Sequence, residues 1–361
     1  MMKSLYKIIV ILFLIPVIAN ANDLKKRHEK SRKVNKEFTI TKNGKVNINN
    51  KYGDVKITTW NSNKVEIEVT ITVKGDDLDN VEERFENIDI LFESNANSVS
   101  ARTTFEKEKK GWSFWKRNSR VSYKINYEIK MPDTNSLDVD NDYGSILLDD
   151  LSGVANINCD YGKISIGELS ADDNSINLDY CSTSTIGFMK SGNVNIDYSK
   201  ITIEETNNLK VNADYSTVKL DKTTSVNFNT DYGAITVGDA VNVSVNSDYT
   251  GMRFGTIRKN LEIDTDYGAV SVKRLAKGFE MVDISGQYAG IRIDVDSDAV
   301  FEFELDLQYA SFKADEDKME FYKKISKSTK RYYEGKFGRG NTNSKIKIRS
   351  QYGGVSIREI N

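Results

Sequence analysis

An all-β fold is what this sequence predicts: a right-handed single-stranded β-helix or β-solenoid with coils of 17–21 residues and a small α+β cap at its N-terminal end. Three observations lead there. First, a phrase of the type Asp-Tyr-Gly recurs with tyrosines at Tyr143, Tyr161, Tyr180, Tyr198, Tyr215, Tyr232, Tyr249, Tyr267, Tyr288 and Tyr309, at steps of 18, 19, 18, 17, 17, 17, 18, 21 and 21 residues. A period in this range marks stacked repeats. Second, apolar residues alternate at period two on either side of each tyrosine, as in Ile157, Cys159, Tyr161, Ile164 and Ile166, or Val226, Phe228, Tyr232, Ile235 and Val237. Such alternation describes strands with one buried face. Third, a repeat this short cannot enclose a core alone, whereas parallel strands stacked ~4.8 Å apart bury a continuous one. Parallel crossovers are right-handed, which sets the hand.

The interval of three between the tyrosine and the next apolar residue breaks the alternation, so the chain turns a corner there. Gly162, Gly233 and Gly268 follow the tyrosine and are expected to take the positive φ that such a corner requires. Parity points the tyrosines inward as a stacked ladder. The residues two before them are small and also inward: Cys159, Ala213, Thr230, Ser247, Thr265 and Gly286. A rotation at the corner would instead turn the rings out and make the ladder an aromatic binding stripe. The preceding aspartates, Asp142, Asp160, Asp179, Asp197, Asp214, Asp231, Asp248 and Asp266, point outward by the same count. They read as Asx-turn acceptors for the amide two residues on. The alternative is a carboxylate row that recruits cations such as Ca²⁺. The Gly-Asp-rich nonapeptide of calcium-binding β-rolls is absent, and no metal or cofactor is expected.

The Asp-Tyr-Gly-x-Ile-x-Ile phrase, behind an export signal and an α+β stretch, resembles the bacterial putative-adhesin β-solenoid family, related to the head-domain putative autotransporter adhesins. The resemblance runs from about Phe38 to the end. It implies an architecture and an adhesive role, and it brings no catalytic residues.

In chain order, residues 1–21 read as a secretory signal peptide. Lys3 and Lys7 form its positive end, Ile8 to Ile18 its apolar stretch and Ala19-Asn20-Ala21 its cleavage site. Removing two lysines from 51 basic residues leaves 49 against 53 acidic, a net charge of −4. That near balance argues against a dedicated nucleic-acid protein. Residues 22–37 read as a basic, solvated tether, which includes His28, the only histidine. One histidine removes most histidine-dependent catalysis and His-rich metal sites. Residues 38–132 hold a first coil around Tyr52 and the cap. The cap consists of a strand over Val65 to Val73, a helix over Asp76 to Ile88, and strands at Ile88 to Phe92, Val99 to Phe105 and Val121 to Met131. Residues 133–361 are repeats, with an insertion at 315–344 that is expected to begin as a short helix around Met319, Phe321, Tyr322 and Ile325. A coil from Ile346 to Ile357 is expected to close the solenoid.

Two aromatic and basic clusters are the candidate ligand-binding loops: Trp112, Phe114, Trp115, Lys116 and Arg117, and then Arg331, Tyr332, Tyr333, Phe337 and Arg339. Aromatics among cations suit sugars or a lipid interface. Cys159 and Cys181 differ by three positions in the repeat, which in register exceeds the ~7 Å Cα separation a disulfide spans. Cys159 is therefore expected buried and Cys181 unpaired. There is no Gly-x-Ser-x-Gly elbow, phosphate loop or Cys-x-x-Cys. Eight equivalent aspartates do not make the unique constellation an active site needs. The sequence thus points to an exported, non-enzymatic adhesin-like protein, periplasmic or extracellular. Its partner would be an envelope component, a glycan or a protein, and the mature chain carries no membrane span. The alternatives are an envelope sensing or signalling accessory, and a β-helix carbohydrate-active enzyme using the acidic row.

Overall fold

The computed structural model describes residues 27–105 and 121–360. Among them the chain is almost entirely strand, with one α-helix, Leu78–Glu86. The expected signal peptide, residues 1–21, and the first aromatic cluster fall outside the described residues.

Two parallel ladders run the length of the molecule. The leading ladder contains the strands that run into each tyrosine, among them Ser136–Asp142, Ala155–Asp160 and Asn174–Asp179. The trailing ladder contains the strands that leave it, among them Val55–Trp60, Ser145–Leu148 and Lys163–Leu169. From Ser184 to Asp266 the two merge into five long strands, each of which passes from one ladder into the other. Pairing is in strict repeat register, with Asp197 opposite Asp214, Asp231 and Asp248 in turn. Inward residues of both ladders form a single apolar core that includes Ile157, Ile196, Val218, Phe228, Phe254 and Ile291. Register is fixed because a one-residue slip would turn this entire set out to water.

Chain order is not stacking order at the two ends. At the N-terminal end Lys45–Lys51 lies between Ser98–Phe105 and Ser136–Asp142. Val55–Trp60 likewise lies between Val121–Pro132 and Ser145–Leu148. Antiparallel strands then cover both ladders: Ile88–Asn95 covers one, while Lys64–Gly75 and His28–Thr39 cover the other. The helix is capped by the Asp77 carboxylate, which accepts from the Asn80 amide, and it buries Val81 and Phe85. Arg32 holds the helix end by donating to the Ile88 carbonyl and lying 5.0 Å from the centre of the Phe85 ring. Antiparallel edges closed by a helix are what keep such a stack from growing end to end.

Three expectations are corrected here. The basic segment read as a solvated tether is, from His28 on, a strand paired residue for residue with Gly75 back to Lys64. Its half-buried Lys30, Arg32, Val34 and Phe38 alternate with exposed Glu29, Ser31, Lys33 and Glu37, which suits a charged edge strand. The segment around Met319 forms strand Met319–Ser326 after a short 3-10 turn at Glu316–Lys318. It makes an antiparallel hairpin with Lys330–Phe337, which in turn covers Phe301–Gln308. Helical spacing failed because inward residues at 319 and 321 also satisfy period two. The coil from Ile346 does not close the stack. Strand Lys345–Gln351 is inserted between Met281–Gln287 and Phe301–Gln308, and Val355–Ile360 between Gly290–Asp296 and Phe312–Lys313.

Candidate functional site

The feature that every repeat builds is the corner, and its central residue faces outward. Twelve tyrosines, Tyr52, Tyr143, Tyr161, Tyr180, Tyr198, Tyr215, Tyr232, Tyr249, Tyr267, Tyr288, Tyr309 and Tyr352, have φ between 48° and 67°. Eleven of them are 45–54% exposed. Parity counted across the corner fails because a left-handed residue reverses the side on which the next side chains emerge. The glycines after the tyrosines are needed for a different reason: a Cβ on Gly162 would lie 2.0 Å from the Gly144 carbonyl oxygen one repeat away. Where that position carries Ser199, Ser216 or Thr250, the hydroxyl turns inward. Ser216 Oγ donates to the Ile196 carbonyl at 3.1 Å.

The rings stack in space as one ladder. From Tyr143 to Tyr288 successive centroids are 4.7–5.1 Å apart with planes within 7°. The order then runs Tyr288, Tyr352, Tyr309, since the last repeat in sequence is inserted before the one ending at Tyr309. At the other end Tyr143 stacks on Tyr52 at 5.4 Å, and Tyr52 on Tyr123 at 5.6 Å. With twelve repeats at ~4.8 Å each the ladder is about 50 Å long. Its chemistry follows from the stacking. Ring faces are covered by neighbouring rings, so a ligand meets ring edges and a row of phenol hydroxyls. Among the described residues none of these twelve hydroxyls has a protein hydrogen-bond partner. Burial against the neighbouring rings, then the adjacent tyrosines and aspartates, raises the pKa of Tyr198 and Tyr249, which keeps these phenols protonated as donors.

Beside the ring edges runs the acidic row. From Asp142 to Asp266 the aspartates stand one above another, bounded by Lys51 at one end and by Gln287, Gln351 and Gln308 at the other. At Asp214 and Asp231 a bond between repeats takes the place of the expected Asx-turn: Asp214 Oδ1 accepts the Asp231 amide at 3.2 Å and Asp231 Oδ1 accepts the Asp248 amide at 3.1 Å. Burial, then the neighbouring carboxylates, raises the pKa of Asp160 and Asp266. Lys51 relieves the near end through an ion pair with Asp142 at 3.3 Å. Two residues further back, outward asparagines form a second ladder, Asn177 donating to Asn158 and Asn195 to Asn177, both at 2.7 Å. No group of three or more His, Cys, Asp or Glu side chains among the described residues is arranged to hold a metal ion.

The sequence-derived candidates fare unevenly. Trp112, Phe114, Trp115, Lys116 and Arg117 lie outside the described residues. In the second cluster Tyr333 and Phe337 are core residues. Phe337 is stacked on Phe301 at 4.9 Å, and Tyr333 packs against Phe312 and Phe321. Arg331, Tyr332 and Arg339 remain at the surface. The Tyr332 hydroxyl donates to Glu334 and Lys323 covers its ring. This cluster is therefore a packed end hairpin with a polar outer side. Both cysteines are free and buried. The three-position offset does not separate them, because Cys181 occupies the inward corner position and its thiol donates to the Cys159 carbonyl at 3.0 Å. The hydrogen bond with Cys181, together with burial, keeps the Cys159 thiol protonated.

No helix among the described residues is long and apolar enough to cross a membrane. No protein-family model and no curated protein matches the chain. Among solved structures, a putative cell adhesion protein from Clostridium sporogenes is 13% identical over 92% of this chain and 100% of that one, with a TM-score of 0.18. A putative lipid binding protein from Parabacteroides distasonis is 12% identical over 91% and 97%, with a TM-score of 0.35. A putative adhesin from Parabacteroides merdae is 11% identical over 91% and 97%, with a TM-score of 0.33. Proteins named as adhesins are thus among the structural neighbours, the family the Asp-Tyr-Gly phrase resembles. At these values the likeness carries nothing about ligand or site.

Proposed function

We propose that this chain is an exported, non-enzymatic binding protein of adhesin-like type, periplasmic or extracellular. In this reading a right-handed β-solenoid of 17–21-residue coils holds the tyrosine edge and its acidic row as one extended docking surface. One observation carries it. The corner tyrosine never varies, whereas the residue two before it is Asn, Cys, Leu, Ile, Ala, Thr, Ser or Gly and the residue after it Gly, Cys, Ser, Thr or Ala. The left-handed region is costly for tyrosine, of order 1–2 kcal/mol, and Gly or Asn would form the same corner more cheaply. Stacking, at about 0.5–1.5 kcal/mol per pair, offsets the strain. Phenylalanine, however, would stack equally well. The hydroxyl, present twelve times and unpartnered among the described residues, supports a use outside the chain.

The test uses labelled full-length chain, expressed with its own leader, and isolated envelopes of the producing cells. Saturable binding is expected, reduced at least tenfold by the triple replacement Tyr198→Asn, Tyr215→Asn and Tyr232→Asn, since asparagine tolerates positive φ and keeps the corner. Undiminished binding by a folded triple variant would remove the ladder from the site.

A further inference from the structure

We propose that the partner of the tyrosine edge is a second copy of this chain, docked side by side with the two stacks parallel and related by a two-fold axis along their length. This rests on the edge being a docking surface and names what occupies it. Three features of the edge select the occupant.

The first is repeat. Rings that stack nearly parallel with centroids 4.7–5.1 Å apart carry their hydroxyls at the same repeat, along a line of about 50 Å. A partner satisfies that row along its whole length only if its own groups recur at the same interval. In-register β-strands do so by construction, and this chain is such a stack. A glycan would need ring faces to stack on, and those faces are already covered by neighbouring tyrosines.

The second is complementarity. The edge carries a row of donors, the phenols, one residue away from a row of acceptors, the carboxylates of Asp142 to Asp266. Asp214 and Asp231 each use one oxygen within the chain, and the other has no hydrogen-bond partner among the described residues. Geometry then fixes the orientation. A two-fold axis parallel to the stacks carries the aspartate row to the opposite side of the tyrosine row. Each copy's tyrosines can therefore face the other's aspartates, all eight levels at once. A two-fold axis across the stacks leaves the rows on the same side and sets carboxylate against carboxylate, which repels. Hydrogen bonds from neutral donors to carboxylates are among the stronger ones, and the facing donors disperse the charge that the acidic row concentrates.

The third is area. Eleven of the twelve tyrosines are about half exposed, and a whole aromatic side chain covers about 150–250 Å². The edge therefore offers roughly 1,000 Å² per copy, against about 800 Å² per partner in an interface of standard size. A contiguous exposed stripe of that extent is unusual on a monomer, and an isologous contact uses the same stripe twice.

Sedimentation of the full-length chain over a concentration series is expected to show a monomer–dimer equilibrium. The triple Tyr→Asn variant at 198, 215 and 232 is expected to weaken it at least tenfold. Because that variant could lose stability, the triple Tyr→Phe variant at the same positions provides a second measure. It retains the stacking and removes only the donors, and it is expected to weaken the dimer by about threefold or more. Energy transfer between dyes at the N-terminal ends of two copies should exceed that between an N-terminal and a C-terminal dye. A parallel run on envelopes from cells lacking this chain separates the two levels of the claim. A chain that stays monomeric but binds those envelopes through the tyrosine edge overturns the second copy as partner and keeps the docking surface. A chain that stays monomeric and binds nothing overturns both. A dimer that survives the Asn and Phe variants unchanged overturns the interface.

Discussion

Replacing Ile348 by aspartate (I348D) is expected to detach the C-terminal end of the stack while the repeats between Ser136 and Leu275 stay folded. Ile348 is fully buried and is sandwiched in register between Ile284 on one side and Leu305 on the other. It sits in the inserted repeat, so it joins two stretches of chain that do not pair directly with each other. An unpaired carboxylate at that depth costs about 4 kcal/mol or more. In a stack where each repeat contacts only its neighbours, that loss is local. Once Lys345–Gln351 leaves, Phe301–Gln308 keeps only the hairpin strand Lys330–Phe337 as partner. Hydrogen exchange is the measurement. Amides of Val282, Ile284, Leu305 and Ile348 should exchange together in I348D, with those of Val218 and Phe228 still protected. Ile348→Val, which removes one methylene, should cost only about 1 kcal/mol. Unchanged protection at Leu305 in I348D would mean that the inserted repeat does not hold the end together.

Gly144→Ala is expected to destabilise the junction between cap and stack, whereas Gly251→Ala is not. A Cβ at Gly144 would lie 1.9 Å from the Gly53 carbonyl oxygen, while at Gly251 nothing lies within 4 Å. The atom in the way is backbone, so it yields only if two repeats move apart. That would open the Tyr52–Tyr143 stack and the buried cluster beneath it, in which Asn50 donates to the Ile125 carbonyl and to Asn141 Oδ1, both at 3.0 Å. Overpacking of this kind costs about 1–3 kcal/mol. At Gly251 alanine fits, and the reduced freedom of the unfolded chain contributes roughly 0.4–1 kcal/mol in favour of folding. Thermal melts of the two variants should therefore move in opposite directions. Equal shifts would show that corner glycines act through chain flexibility rather than contact.

How much of this was legible in the sequence depends on whether a feature is repeated or unique. Apolar alternation around Ile157 or Phe228 located the strands and the buried faces, because the same signal is written many times over. The cap helix was also legible, since its acidic start and the spacing of Val81 and Phe85 mark a helix locally, whereas the edge strand His28–Thr39 was hidden by its basic charge. The direction of the tyrosines was not, because period-two counting presumes extended backbone throughout, and one left-handed residue resets the count. A signal was present: Gly162 is replaced at equivalent positions by Cys181, Ser199, Ser216 and Thr250, which a required positive φ at that position would not permit. The position of the last repeat was not legible either. Steps of 21 residues to Tyr288 and Tyr309 and a gap of 43 to Tyr352 show irregularity, but stacking order is decided by tertiary pairing. Tyr333 and Phe337 read as a surface cluster because their neighbours are charged. They are buried because alternate residues of a hairpin face opposite ways.

Residue-resolved nitration of tyrosines in the dilute, monomeric chain tests the outward ladder most directly, with modified peptides quantified by mass spectrometry. Tyr180, Tyr198, Tyr215, Tyr232 and Tyr249 should react fast and to similar extents. Tyr127, fully buried and bonded to Thr103 at 2.8 Å, should react only on unfolding. The ladder should then become protected as concentration or added envelope brings a partner onto it. Ladder tyrosines as slow as Tyr127 in the monomer would place the rings inside the corner and leave no aromatic edge to bind with.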